Sequence, residues 1–314
     1  MDPAKSSTTK ASIVFRLVVP TFTPFDDRRA LAPDRVPAYA DWLRSRGIGE
    51  VFVNGTSGEF ASLTVAENRL MAARWCAQRT EDLKIIVHVG HIAAAEAREL
   101  AVHAEACGAD AISATPPFYF QPGSLEALID IMGAIAAGAP RVPFYYYHIP
   151  GLTGVQFPMW KFLTGVREAI PNFDGLKFTY EDLSDYRLCL SRAGVDCEIF
   201  FGRDEMLLSA LAAGATSGVG TLYNLIPDTF RSMVRAHAYG DLETAQSLQT
   251  TVCRLVEFAK MQEPLPVFKA MMGLAGFDCG PCRLPLGRLE PSTLAELPSV
   301  FNEAELAATA TDAL

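Results

Sequence analysis

The chain is short of cations and has no long apolar run, and both shortages narrow what it can do. Its 27 lysines and arginines stand against 36 aspartates and glutamates in 314 residues, a formal charge of −9 at pH 7. Nucleic acid and anionic membrane surfaces both call for clustered cations, yet no basic block exceeds Arg28-Arg29. Neither partner is expected. No uninterrupted apolar stretch approaches the roughly 18–20 residues that cross a bilayer. Residues 1–10 are polar and lack the apolar segment of a signal peptide. The seven cysteines are an odd number scattered mostly through apolar stretches, which argues against a secreted disulfide framework and for a reducing cytoplasm. The five histidines (88, 91, 103, 148 and 237) show only His88-x-x-His91, a spacing too common to mark a metal site. What remains is half hydrophobic and a fifth charged, the balance of an ordinary soluble enzyme with a sizeable core.

Short apolar runs alternate with helical patterns. Strands are expected at Ile13–Val19, Glu50–Asn54, Lys84–Gly90, Asp110–Thr115, Pro143–His148, Gly175–Thr179, Glu198–Gly202 and Ser217–Thr221. Helices are expected at Pro33–Ser45, Asn68–Gln78 behind a capping box at Thr64 and Glu67, Ala93–Ala106, Ser124–Ala137, Pro158–Ala169, Tyr180–Ala193, Glu205–Ala213 and Pro227–Ala238. The strands are continuously apolar rather than alternating, as parallel strands covered by helices should be. This is an α/β pattern that fits a (β/α)8 TIM barrel, with a doubly wound open sheet as the rival. From Leu242 to Leu314 the pattern is helical only. The expected division is a polar tail at 1–11, the barrel at 12–240 and a C-terminal α-helical extension at 241–314, with residues 1–10 and Ala304–Leu314 mobile.

Active sites of such barrels lie at the C-terminal ends of the strands, so the motifs there carry the functional reading. After the second strand comes Asn54-Gly55-Thr56-Ser57-Gly58-Glu59, whose glycines allow a tight turn and whose hydroxyls and N–H groups can hold a carboxylate. A plain glycine-rich turn would look the same. In Tyr145-Tyr146-Tyr147-His148 the alternation of a strand puts Tyr145 and Tyr147 on one face, with Tyr147 nearest the rim. Tyr147 can pass protons or simply pack, and His148 reads as structural. Lys177 stands in Gly175-Leu176-Lys177-Phe178-Thr179, an apolar strand in which a fixed cation is costly. Desolvation would lower its pKa and free a neutral amine to attack a ketone; alternatively it snorkels outward or meets a buried carboxylate. Asp204 and Glu205, after the seventh strand, can cap the next helix or bind sugar hydroxyls. Gly218-Val219-Gly220-Thr221, at the end of the eighth, lets a ligand approach the backbone.

These segments, in this order, resemble the family of N-acetylneuraminate lyases and dihydrodipicolinate synthases over roughly residues 12–290. The resemblance implies a Schiff-base lysine at Lys177 and a proton-shuttling tyrosine at Tyr147. It also implies a carboxylate site at Gly55–Glu59 that includes Thr56 and Ser57. Tyr119, in Pro117-Phe118-Tyr119, matches a tyrosine that in synthase members crosses into a neighbouring active site. Dihydrodipicolinate synthases carry an arginine shortly after the fifth-strand proline; Leu152 stands there instead. The stretch from Tyr145 to Gly154 is similar to the sialic acid lyases, in which an Asp-Glu pair matching Asp204 and Glu205 binds the polyol chain. Thr179, Gly202, Gly220 and Thr221 complete that sugar site, Thr221 standing where a serine is common.

The implied activity is reversible cleavage of a keto sugar acid, N-acetylneuraminate, to pyruvate and N-acetylmannosamine, with no metal or organic cofactor. A 2-keto-3-deoxy sugar acid aldolase or dehydratase is the alternative within the family, and a non-catalytic sugar-acid sensor lies outside it. Partners are the small-molecule substrate and further copies of the chain, a homotetramer on the family pattern. Cys279-Gly280-Pro281-Cys282 has the spacing of a thioredoxin-type motif but lies far downstream of any strand–helix start, so no redox role is expected.

Overall fold

Eight parallel strands too apolar to face water on either side bury both faces here by closing on themselves inside a ring of helices. A computed structural model describes residues 15–194 and 197–311, with side chains as far as 305. The expected tail at 1–11 and the first residues of the expected first strand lie outside the described residues. The strands are β1 (Arg16–Pro20), β2 (Glu50–Val53), β3 (Lys84–His88), β4 (Ala111–Ala114), β5 (Phe144–His148), β6 (Phe173–Phe178), β7 (Glu198–Phe201) and β8 (Ser217–Val219). All pair in parallel in sequence order, and β8 returns to β1 to close the barrel.

The helices between strands are α1 (Val36–Ser45), α2 (Val65–Cys76), α3 (Ala94–Ala106), α4 (Leu125–Ala136), α5 (Pro150–Thr153), α6 (Met159–Ala169), α7 (Leu183–Ala193) and α8 (Leu207–Ala213), and α9 (Pro227–Tyr239) follows β8. Three more follow, α10 (Leu242–Lys260), α11 (Pro264–Leu274) and α12 (Pro291–Thr311), forming the helical C-terminal extension. No helix among the described residues is long and apolar enough to cross a membrane.

Several boundaries differ from expectation for local reasons. The capping box at Thr64 is present, with Glu67 N–H donating to the Thr64 hydroxyl at 3.2 Å and Thr64 N–H to the Glu67 carboxylate at 2.9 Å. It starts α2 at Val65, three residues before the apolar pattern begins. The helix expected from Tyr180 starts at Leu183, because Asp182 accepts from the N–H groups of Ser184 and Asp185 and caps it there. β8 ends at Val219, and Gly220 and Thr221 belong to the turn that follows. β6 begins earlier than expected, Phe173 pairing with Phe144 across an irregularity in register.

Alternation sorts the strand residues into two cores. Val18, Phe52, Ile86, Ala111, Tyr145, Tyr147, Phe200 and Val219 cluster together inside the barrel. Their sequence neighbours, such as Val19, Val51, Val53, Tyr146 and Phe201, join the larger core under the helices. At the N-terminal mouth Arg16 donates to Glu50 at 2.7 Å and also bridges to Glu198, closing that end with charge. The opposite end is left for chemistry.

Candidate active site

β5 and β6 are in register with Tyr147 beside Lys177, so two rim residues far apart in sequence become neighbours. The Lys177 side chain is 3% exposed. Its Nζ lies 3.9 Å from the centre of the Tyr147 ring and 4.2 Å from that of Phe52. The outward-snorkelling alternative does not occur. Burial lowers the amine pKa from its ordinary 10.5 to about 7, against the opposing pull of Asp204. Near neutrality a large share of this lysine is therefore an uncharged nucleophile.

Tyr147 is held on three sides. Its ring meets Phe52 edge-on at 5.7 Å and His88 at 5.8 Å, and its hydroxyl lies 3.2 Å from the Thr56 hydroxyl. Burial raises its pKa to about 12, which the Thr56 and Thr179 hydroxyls oppose. It is a protonated phenol at the pH where Lys177 is partly neutral.

Thr56 and Ser57 sit on the turn after β2. Ser57 shares a 2.8 Å hydrogen bond with Thr221 from the turn after β8, so the loops on either side of β1 meet there. The glycines of this turn have a different cause from the one expected. The left-handed residues are Asn54 at φ 57° and Glu59 at φ 56°. Gly55 is needed because a Cβ would lie 2.8 Å from the Phe52 ring, and Gly58 because one would crowd Asn54 and the Thr21 carbonyl at 3.2 Å.

Asp204 is buried, and its Oδ2 accepts from Leu222 N–H at 2.9 Å. Its Oδ1 and the buried Thr179 hydroxyl form no hydrogen bond of ordinary geometry within the protein, although Thr221 N–H acts on the Asp204 carboxyl and the Thr179 hydroxyl on Tyr147. Burial raises the Asp204 pKa to about 7, and the neighbouring Glu205 adds to the rise; the Leu222 N–H and Lys177 oppose it. Gly220 and Gly202 make room for these two side chains. A Cβ on Gly220 would fall 1.9 Å from Asp204 Oδ1, and one on Gly202 would fall 2.0 Å from Thr179 Oγ1. The space beside Gly220 is thus filled by the protein's own carboxyl group.

Not every expected residue converges. Glu205 turns away from Asp204 and pairs with Arg203 and with Lys260 of α10, each at 3.4 Å. Tyr119 is 78% exposed on the loop after β4, its ring against Phe120 rather than a site side chain. Within one chain it does not line the site. His148 is buried on the helix-facing side of β5, against Phe178 and Tyr180, consistent with a structural role.

Sequence reasoning missed His88. Its Nε2 accepts from Thr115 N–H at 3.2 Å, so that nitrogen carries no proton. Burial and the nearby Lys177 push its pKa down to about 3. It is a neutral wall behind Tyr147. The signal was available, since His88 falls near the end of the third strand, expected at Lys84–Gly90 and observed at Lys84–His88.

A buried amine, a phenol beside it, a hydroxyl-bearing turn and a buried carboxyl group suit carbonyl chemistry on a polyhydroxylated acid. Comparison with known proteins agrees with this geometry. The model of the dihydrodipicolinate synthetase family matches residues 14–304. The N-acetylneuraminate lyase of Rattus norvegicus is 39% identical over 275 residues, covering 86% of each chain. That of Xenopus tropicalis is 40% identical over 278 residues, covering 86% of this chain and 90% of its own. Among solved structures, the N-acetylneuraminate lyase of Proteus mirabilis superposes with a TM-score of 0.89 at 30% identity, covering 92% of this chain and 98% of its own. The sialic acid aldolase of Aliivibrio salmonicida also reaches 0.89, at 33% identity over 94% of this chain and 98% of its own. The chain belongs to the dihydrodipicolinate synthetase family, on its N-acetylneuraminate lyase branch.

Proposed function

We propose that the protein is a class I aldolase that reversibly cleaves N-acetylneuraminate to pyruvate and N-acetylmannosamine. The observation that carries the mechanism is the buried Lys177 amine, its pKa lowered by desolvation, beside the Tyr147 phenol. Lys177 Nζ attacks the C2 ketone of the open-chain acid, and loss of water leaves an iminium. The C3–C4 bond then breaks; its electron pair enters the iminium to form an enamine, and the C4 hydroxyl gives up its proton as the aldehyde forms. Tyr147, having given its own proton to the departing water, takes the C4 proton as a phenolate and returns it to the enamine carbon. Water then hydrolyses the pyruvate imine and frees Lys177.

Thr56, Ser57 and their N–H groups hold the carboxylate, which fixes C2 against the amine. Thr179 and Asp204 take the hydroxyl-rich end with oxygens that form no hydrogen bond of ordinary geometry within the protein. Gly202, Gly220 and Thr221 shape the same end. Leu152, 65% exposed on α5, places no cation near the rim, which favours a polyol product over a dicarboxylate. The exposed Tyr119 and Phe120 support a contact with a second copy, within a homotetramer. All seven cysteines are unpaired, which supports a reducing cytoplasm.

Borohydride reduction in the presence of pyruvate should fix a three-carbon adduct on the peptide containing Lys177; labelling elsewhere, or none, removes the mechanism. Pyruvate release should be fastest from N-acetylneuraminate in a panel of keto sugar acids. Turnover of a 2-keto-3-deoxygluconate with no turnover of N-acetylneuraminate would overturn the substrate assignment.

A further inference from the structure

Behind the turn that presents Thr56 and Ser57 lies a charge pair to which the reaction gives no part. Glu59 is 4% exposed. Its Oε1 accepts from Lys269 Nζ at 2.7 Å, and its Oε2 accepts from Arg283 N–H at 2.8 Å. Lys269 lies on α11 and is 1% exposed; its Nζ also donates to the Pro281 carbonyl at 3.1 Å and stands 4.2 Å from the centre of the Phe25 ring. The Arg283 guanidinium donates to both oxygens of Glu67, each at 2.7 Å, at the start of α2. Two parts of the C-terminal extension therefore grip the loop between β2 and α2 from behind.

So complete a burial is hard to explain as a device for stability, because apolar groups of the same shape often do as well or better. What the pair does supply is geometry. Glu59 holds a left-handed conformation at φ 56°, which a non-glycine residue keeps only when its surroundings enforce it. Immediately before it, Gly58 is pinned through its carbonyl by the Thr23 hydroxyl at 2.6 Å. Without its cation, the Glu59 carboxylate would have to turn towards water. The backbone carrying Ser57 and Thr56 would move with it.

We propose that Lys269, acting through Glu59, is a positioning residue for the substrate carboxylate, so that the C-terminal extension sets the site's affinity for keto acids. The inference rests on the aldolase reading above and goes one step further. Lys269→Met alone leaves a buried, unpaired carboxylate and is expected to unfold in part. The paired variant Glu59→Gln/Lys269→Met removes both charges, keeps the shape and leaves an acceptor for Arg283 N–H.

The test is borohydride trapping at Lys177 as a function of ligand concentration, with pyruvate and with methyl pyruvate, which keeps the ketone but lacks the charge. For the paired variant, the half-saturating pyruvate concentration should rise by about tenfold, equivalent to roughly 1.4 kcal/mol of binding. The trapping rate at saturation should stay within about twofold, and the methyl pyruvate curve should shift by less than about threefold. An unmoved pyruvate curve overturns the proposal. So does an equal shift for both ligands, which would indicate general loosening. Failure of the unsubstituted protein to form any adduct would instead remove the aldolase reading itself, and this inference with it.

Discussion

Replacing Lys177 by methionine should abolish activity and make the protein more stable. Lys177 is buried, and its pKa falls from 10.5 to about 7 because the charged form loses its water, a loss that Asp204 only partly offsets. A base whose folded pKa lies below its unfolded one binds fewer protons when folded. Stability is therefore undiminished above about pH 10.5, falls as the pH drops towards 7, and is uniformly lowered below that. At about 1.4 kcal/mol per pH unit, the charge costs on the order of 4 kcal/mol at pH 7. Part of this is offset on substitution, because Asp204 loses the nearby cation that favours its charged form. Methionine has a similar length, carries no charge and can lie against the Phe52 and Tyr147 rings. Allowing for imperfect packing, the variant should gain at least about 1 kcal/mol at pH 7, and most of the gain should vanish by about pH 10. Urea unfolding at the two pH values, followed by tryptophan fluorescence, measures both numbers. A variant no more stable than the unsubstituted protein at pH 7, or one with the same advantage at both pH values, would refute the claim of an unsolvated amine.

Three further outcomes are expected. Tyr147→Phe should still form the trapped adduct but turn over about 10²-fold more slowly, as loss of a general acid–base group does; near-normal turnover would take Tyr147 out of the mechanism. Gly202→Ala places a Cβ 2.0 Å from the Thr179 hydroxyl. It should raise KM for the sugar acid by about tenfold or more, roughly 1.4 kcal/mol, while pyruvate trapping stays within about twofold. Equal loss for both ligands would place Thr179 outside the sugar end. Cys279 is fully buried, and burial raises its thiol pKa to about 12; Cys282 is also buried and raised. A thiol reagent at pH 8 should therefore modify neither in the native protein until it unfolds, and rapid labelling of either would revive a redox role.

Much of the site was legible because barrel geometry turns position along a strand into position in space. Once the eight apolar runs were recognised, Tyr147, Lys177 and Asp204 had to lie on one rim. Alternation put Tyr145 and Tyr147 on one face, and the barrel turns that face inward. Lys269 carries the same signal as Lys177, a lysine in an apolar stretch, but it lies in a helix of the extension, where no strand-end rule applies. Glu205 misled because adjacent residues in a turn can point in opposite directions. Arg203 and Lys260 draw it outward while Leu222 N–H holds Asp204 in.

The sequence by itself determined the eight strands and the main helices between them, and with the family resemblance it marked the barrel, the buried amine and the loop beside it. These depend on local pattern and on the cost of burying a charge in an apolar strand. Only the tertiary structure decided that the Lys177 amine is buried and its pKa lowered, that Gly220 yields its space to Asp204, and that α11 braces the turn carrying Thr56 and Ser57. Each of these depends on contacts between residues well separated along the chain. Desolvation and van der Waals exclusion act at a few ångströms, and only the closed fold brings such residues that near.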